Sequence, residues 1–297
     1  MSRYALILHG GAGARRSRDY SAEVVHMREV VEAMRPRLAQ GAPALDVAVQ
    51  TVERLEASGL YVAGRGASPN TDGVYELDAG LMDGASGRAG AVAALVGFQS
   101  PVRAARAVMD RTPHVLLVGD GAARFAAEAG LERIDDPEAW FTRAGQGEDN
   151  HPPGVTAGAL QHGTVGCCVL DRDGRLAAAT STGGVFGKLP GRVGDTPLIA
   201  AGTWADGRVA VSCTGQGEYF IRTAAAARVG FEVEAGRALA EAAAGVIARI
   251  GAMGGDGGLI ALDRDGNLAD PFNSQGMKRA WLGVDGEVGV EVFGTRG

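Results

Sequence analysis

Thr164 follows a glycine and heads the apolar run 165–170 in the stretch QHGTVGCCVLDRDG, residues 161–174. A hydroxyl so placed is a weak nucleophile until a base sits beside it. If the Gly163–Thr164 bond is cut, the base arrives on the same residue. The freed α-amino group, with a reference pKa of about 7.7–8.0, lies within reach of its own hydroxyl. Gly163 tolerates the strained backbone that brings the hydroxyl onto the preceding carbonyl. These residue types fit amide cleavage by a threonine, first of its own chain and then of a substrate.

Three further segments supply what that chemistry lacks. ATSTGG at 179–184 offers Thr180 or Thr182 as a donor to the nucleophile. In SCTGQGE at 212–218, Thr214 and the Gly215 N–H can form an oxyanion hole, and the glycines let a carbonyl oxygen come close. GRVGDTP at 191–197 carries Arg192, a fork for an α-carboxylate, and Asp195, an acceptor for an α-ammonium. The ordinary reading is strand-end threonines and glycine turns. Against it stands the co-occurrence of all four segments with a long polar loop that ends at Gly163.

The elements that must hold these groups are legible in outline. Residues 4–8 read as a strand followed by the turn HGGAGA. Ser21 is placed to cap a helix over 22–38, and a second helix over 43–57 carries Leu45, Val49, Val52 and Leu55 on one face. Helices over 101–110 and 121–129 flank a short buried strand, HVLLVG. Residues 135–163 are polar, rich in Gly, Pro and Asp, and without apolar period, so they read as a flexible linker. Beyond it, Asp-Arg-Asp-Gly joins two apolar runs at 171–174 and again at 263–266, a hairpin signal. A calcium loop would need glutamate at the twelfth position, where Thr182 and Ser274 stand. An alanine-rich helix is predicted over 234–250. The class is α+β in layers, one domain over 1–297 interrupted by the linker.

Other chemistries find no footing. HGGAGA lacks the spaced third glycine of a dinucleotide loop, and GVFGKL has Leu189 where a phosphate loop needs Ser or Thr. No Gly-x-Ser-x-Gly elbow occurs, and the histidines are scattered without zinc-ligand spacing. His9 and His114 read as satisfied core or turn residues. Glycine is 47 of 297 residues, about 16%, over twice the ~7% norm. With 46% hydrophobic residues and no collagen period, that means a packed fold with tight turns and close backbone approaches. A net charge of −6 without a basic cluster disfavours nucleic acid and anionic membranes as partners. No segment reaches membrane-spanning length, and the apolar run at 4–8 is too short for a signal peptide. Cys167, Cys168 and Cys213 read as buried, reduced thiols of a cytoplasmic chain.

Taken together, HGGAG at 9–13, ELDAGLMDG at 76–84, HGTVG at 162–166, ATSTGG, GRVGDTPL at 191–198, SCTGQGE and PFNSQGMKRA at 271–280 resemble a known family. It is that of the plant-type asparaginases and isoaspartyl peptidases, N-terminal nucleophile hydrolases with glycosylasparaginase as a related branch. The resemblance covers nearly the whole chain. It implies a four-layer αββα sandwich and self-cleavage into an alpha subunit, 1–163, and a beta subunit, 164–297. It also implies a dimer of such heterodimers acting on L-asparagine or β-aspartyl dipeptides. It makes Thr164 the nucleophile, Thr182 its hydrogen-bonding partner, and Arg192 and Asp195 the substrate anchors. Thr214 and Gly215 match the oxyanion hole and substrate contacts, and Gly217 a nearby substrate contact. No cofactor is implied beyond a structural sodium on backbone carbonyls between Leu60 and Gly66. One stretch departs: Val62-Ala63-Gly64 stands where the family usually has Asn-Ala-Gly, and RGASPNTDG after it looks more like the glycosylasparaginase branch. A glycosylasparaginase-like substrate, and an unprocessed inactive homologue that only binds, are the rival expectations.

Overall fold

The computed structural model describes residues 3–142 and 163–294. Strand β1 (Ala5–His9) leads through the HGGAG turn to helices α1 (Ser21–Ala39) and α2 (Ala44–Ser58). A 3-10 turn, Gly64–Gly66, precedes β2 (Leu77–Asp83) and β3 (Ala89–Leu95). Then come α3 (Pro101–Arg111), β4 (Leu116–Val118), α4 (Gly119–Glu128) and the one-turn α5 (Pro137–Trp140). Past 162 the order is β5 (Val165–Leu170), β6 (Leu176–Thr182), β7 (Thr203–Ala205), β8 (Val209–Gly215), α6 (Gly217–Thr223), α7 (Ala225–Glu234) and α8 (Leu239–Ala252). The chain closes with β9 (Gly257–Asp263), β10 (Leu268–Ala269), β11 (Arg279–Leu282) and β12 (Val288–Glu291).

Among the described residues the strands form two sheets, ordered β12-β11-β1-β5-β6-β2-β3-β4 and β10-β9-β8-β7. Side-chain alternation explains how they pack. On β1, Leu6 and Leu8 join a core with α1, α2 and α3, while Ala5 and Ile7 join Cys168, Ala178, Ala210 and Ile260 between the sheets. Strand β8 alternates likewise, sending Val209, Val211 and Cys213 to a core with α7 and α8. Both faces of β1, β5 and β6 are therefore buried, which is why β1 and β5 read as near-continuous apolar runs, while β6 ends in the buried hydroxyls of Thr180, Ser181 and Thr182. The central pair β1–β5 is antiparallel with His9 opposite Gly166, and β5–β6 puts Val165 opposite Ser181. Thr164 and Thr182 thus come to the same end of neighbouring strands. The Asp-Arg-Asp-Gly hairpins close as expected, with Asp171 Oδ1 accepting from the N–H of Asp173 and Arg175, and Asp263 Oδ1 from Asp265 and Asn267.

Four expectations need correction. Ser21 is the first residue of α1 and not its cap; its N–H and hydroxyl donate to the Asp19 carboxylate, and Tyr20 is the N-cap. HVLLVG yields only the three-residue β4, half-exposed at the sheet edge because nothing among the described residues pairs beyond it, and parallel to β3. The helix expected over 234–250 is α7 ending at Glu234 and α8 starting at Leu239. Gly236, at φ 90°, turns the chain between them, and its N–H closes on the Val233 carbonyl. The linker is ordered at its start. Asp136 caps α5, Phe141 stacks on Tyr75 at 3.7 Å, and Thr142 Oγ1 donates to the Gly59 carbonyl at 2.7 Å. The expected flexibility over 143–162 falls outside the described residues. Among the described residues no helix is long and apolar enough to cross a membrane, and the three cysteines are free and buried.

Candidate active site

Thr164 Oγ1 donates to Thr182 Oγ1 at 3.1 Å, and Thr182 Oγ1 accepts from the Gly184 N–H at 3.0 Å. Thr182 is therefore held by backbone and can turn its hydroxyl onto an alkoxide formed at Thr164. Thr180, the other candidate, is engaged elsewhere, with Ser212 and Thr203. Glycine before Thr164 has a steric reason: a Cβ on Gly163 would lie 2.4 Å from Val62 Cβ and Cγ2. The buried Val62 side chain thus lies against the expected cleavage junction, and its carbonyl accepts from the Gly183 N–H at 2.8 Å. Arg65 reaches away, donating to the Trp140 carbonyl.

Valine leaves the polar junction without the amide that an asparagine would offer, a loss of about 1–3 kcal/mol where no other partner serves. Val62→Asn is expected to raise cleavage or asparagine turnover roughly several-fold, the rate equivalent of part of that loss. Measuring kcat and Tm on the same variant checks this. A lower Tm with no gain in rate would show an amide stranded in apolar packing.

Thr214 is the penultimate residue of β8, its Oγ1 accepting from the Ala12 N–H at 3.4 Å, so the HGGAG turn orients it. Gly215 has φ 149°, and a Cβ there would meet Gly257 Cα and the Asp256 carbonyl oxygen at 2.6 Å. Strand β5 settles onto β8 because Gly166 has no side chain: a Cβ would stand 1.9 Å from Ser212 Oγ and 2.6 Å from His9 Nε2. Ser212 is two residues before Thr214 on the same strand. Both strands thereby bring their hydroxyls to one polar region.

Arg192 Nε and Nη2 donate to Glu218 Oε1 at 2.9 and 2.8 Å. Asp195 is buried, with Oδ2 lacking a hydrogen-bond partner among the described residues. Burial pushes its pKa up to about 6, against the attraction of Arg192 and with the repulsion of Glu218 and Asp78. A Cβ on Gly217 would lie 2.8 Å from Asp195 Oδ1, so glycine keeps that carboxylate uncovered. Lys188 runs beneath the Gly183-Gly184 turn, its Cδ 2.8 Å from where a Gly184 Cβ would sit, and donates to the Glu76 carbonyl at 2.8 Å. Its burial lowers its pKa, while Asp78, also buried, is pushed up to about 6 despite Lys188 nearby.

An Asp195 that accepts a substrate ammonium must be ionised to do so. The terminal amine expected as the base sets the first acid-side fall of kcat/KM near its reference pKa of about 7.7–8.0, and Asp195 is expected to steepen the fall below about pH 6. A pH–rate profile on a β-aspartyl dipeptide checks this, and a second break set near the ordinary carboxylate range of about 4 would remove Asp195 from that role.

Of the residues named from sequence, contacts join Thr164 to Thr182 and bring Gly217 against Asp195, while Thr214 and Gly215 stand together at the end of β8 and Arg192 bonds Glu218. Ser212, Lys188 and Glu218 have no role in the sequence reading, and His9 has only that of a satisfied core or turn residue. His9 is buried and satisfied, as expected, but its Nδ1 bonds the carbonyl of Thr164 itself at 3.1 Å. Lys188 was visible only as a failed phosphate loop.

A mixed α/β fold of two packed sheets holds a buried pair of threonine hydroxyls, a buried carboxylate at Asp195 and an arginine bonded to Glu218. The family model for asparaginase matches residues 2–290, and the chain belongs to that family. It is 45% identical to an isoaspartyl peptidase of Salmonella typhimurium, over 95% of this chain and 96% of that one. It is 43% identical to an isoaspartyl peptidase of Escherichia coli, over 95% and 93%. A plant-type L-asparaginase of Pyrobaculum calidifontis is 42% identical over 97% and 99%.

Proposed function

We propose that the protein is a self-processing threonine amidohydrolase that releases L-aspartate from β-aspartyl dipeptides and from L-asparagine. The observation that carries this is the Thr164–Thr182 hydroxyl pair at a glycine junction. The named activities of the relatives support the substrate class. In processing, Thr164 Oγ1 attacks the Gly163 carbonyl, and the amide becomes an ester as the C–N bond breaks and the α-amino group is freed with the hydroxyl proton. Water then hydrolyses the ester to release the Gly163 carboxylate and restore the hydroxyl. In turnover that amine takes the hydroxyl proton as Oγ1 attacks the side-chain carbonyl of the substrate. Thr214 and the Gly215 N–H stabilise the oxyanion, and Thr182 donates to the nucleophile. The amine then protonates the leaving group, and water releases aspartate from the acyl-enzyme. Arg192 takes the α-carboxylate and Asp195 the α-ammonium, with Gly217 beside them.

The αββα layering belongs to this proposal and is supported by the core between the sheets and the helical cores on their outer faces. So do the subunits 1–163 and 164–297, their pairing into a dimer of heterodimers, and a cytoplasmic location. Backbone carbonyls of Tyr61, Val62, Ala63, Gly64 and Arg65 each accept a hydrogen bond within the protein. Arg65 accepts a second, from Thr142 Oγ1, whereas Tyr61, Val62, Ala63 and Gly64 would be the carbonyls to hold a sodium ion as a brace, with no chemical step through it.

The test pairs a denaturing gel with an assay. The purified chain is expected to resolve into two fragments, the second beginning Thr-Val-Gly-Cys, and to release aspartate from β-Asp-Leu faster than from asparagine. Faster release from aspartyl-glucosamine would favour the glycosylasparaginase-like substrate. An intact, soluble chain that binds but releases nothing would leave only the binding homologue.

A further inference from the structure

We propose that His9 is a positioning residue for the nucleophile, holding the Thr164 carbonyl through a one-way chain of buried hydroxyls that spans both sheets. The inference rests on Thr164 being the nucleophile. A carbonyl only accepts, so at 3.1 Å His9 Nδ1 must carry the proton. Burial, with the Lys278 ammonium acting in the same direction, lowers the His9 pKa to about 3, so the ring is neutral at physiological pH. Nε2 then has a lone pair and accepts from Ser212 Oγ at 2.9 Å. Having given its proton, Ser212 can only accept from Thr180 Oγ1 at 2.8 Å, and Thr180 in turn from Thr203 Oγ1 at 2.7 Å. Thr203 shares its proton with the Thr196 carbonyl at 3.1 Å. The carbonyl of Thr164 thus sets the direction of every bond behind it.

His9, Ser212, Thr180 and Thr203 are all fully buried, so water does not compete for these bonds. The place is built for them: Gly166 cannot carry a Cβ without striking both Ser212 and His9. Cleavage makes Thr164 a chain terminus, joined to its strand only through its own carbonyl carbon. The His9 bond then fixes the rotation that aims the new amine and the hydroxyl. Arg192 and Asp195 hold the substrate independently, so the effect falls on kcat and leaves KM nearly unchanged.

The test compares two substitutions in the full chain. His9→Asn keeps a donor where Nδ1 lies; His9→Gln keeps reach toward Ser212 but loses that donor. With β-Asp-Leu, His9→Gln is expected to lose about 10²-fold in kcat with KM within about threefold, the scale of a misplaced reacting group. His9→Asn is expected to recover at least about tenfold of that loss. Ser212→Ala, which removes the donor that braces Nε2 and lets the ring swing off the Thr164 carbonyl, should lower kcat about tenfold without a matching loss of Tm. It serves if the His9 variants do not fold or cleave. Equal losses in His9→Asn and His9→Gln, a loss carried by KM, or an unchanged kcat in Ser212→Ala would each overturn the inference. Thr164→Ala run alongside separates the two readings. If it still turns over, the nucleophile assignment fails; if it is dead while His9→Gln is unimpaired, only the role of His9 fails.

Discussion

Thr164→Ala is expected to stay one chain on a denaturing gel and to lose about 10⁴-fold or more of its activity, the scale seen when a covalent nucleophile is removed. Cleavage and turnover are expected to fail together because one oxygen serves both. In processing it attacks the carbonyl before it; in turnover it attacks the substrate. The fold should survive. The mutation removes a hydroxyl that makes one side-chain hydrogen bond, to Thr182. Such a bond contributes about 1 kcal/mol, so Tm should move by only a few degrees. Thr164→Ser keeps the oxygen and loses the methyl that restrains rotation, so it should cleave and turn over slowly. Fragments from Thr164→Ala matching 1–163 and 164–297 would place the cut outside the chemistry proposed here. Normal aspartate release from an uncut variant would remove the threonine from catalysis.

The parts legible in sequence are those set by local pattern. The apolar runs of β1 and β5 are legible because both faces of these strands are buried. The two hairpins could be read because aspartate bonds its own turn. Failures came where a neighbour decides. An alanine-rich run does not say that the chain turns at Gly236, and an apolar LLV does not say that it will stand at an edge. The start of the linker reads as loop because its structure rests on Phe141 finding Tyr75, a contact invisible to periodicity. The same division runs through the site. Gly163 and Gly166 were conspicuous as residue types, but their reasons, Val62 and the His9–Ser212 bond, lie 101 or more residues away or on another strand. Lys188 and Glu218 lie close in sequence to Arg192 and Gly217, yet nothing in their spacing shows that one supports the Thr182 turn and the other holds the guanidinium.

Arg192→Lys is expected to lose about 2–4 kcal/mol of transition-state binding, roughly a 30- to 1000-fold fall in kcat/KM. The charge survives, so the loss measures geometry. A guanidinium presents a planar fork of donors, whereas an ammonium is a point charge. Arg192 already spends Nε and Nη2 on one oxygen of Glu218, whose side chain is 58% exposed. That pair by itself adds little to stability, since exposed ion pairs contribute about 0–1 kcal/mol. Its consequence is for binding. Arginine can turn its plane so that one edge meets the substrate carboxylate while another stays with Glu218. Lysine would have to choose between them. Asp195 should still hold the ammonium end, so the substrate binds loosely in place of not binding at all. Self-cleavage does not use the substrate carboxylate, so Arg192→Lys should still resolve into two fragments with a Tm close to that of the parent. Processed protein with low kcat/KM on β-Asp-Leu is the expected result. Unchanged kcat/KM would move Arg192 out of the site, and failure to cleave would show that it shapes the fold around Thr164 before it meets any substrate.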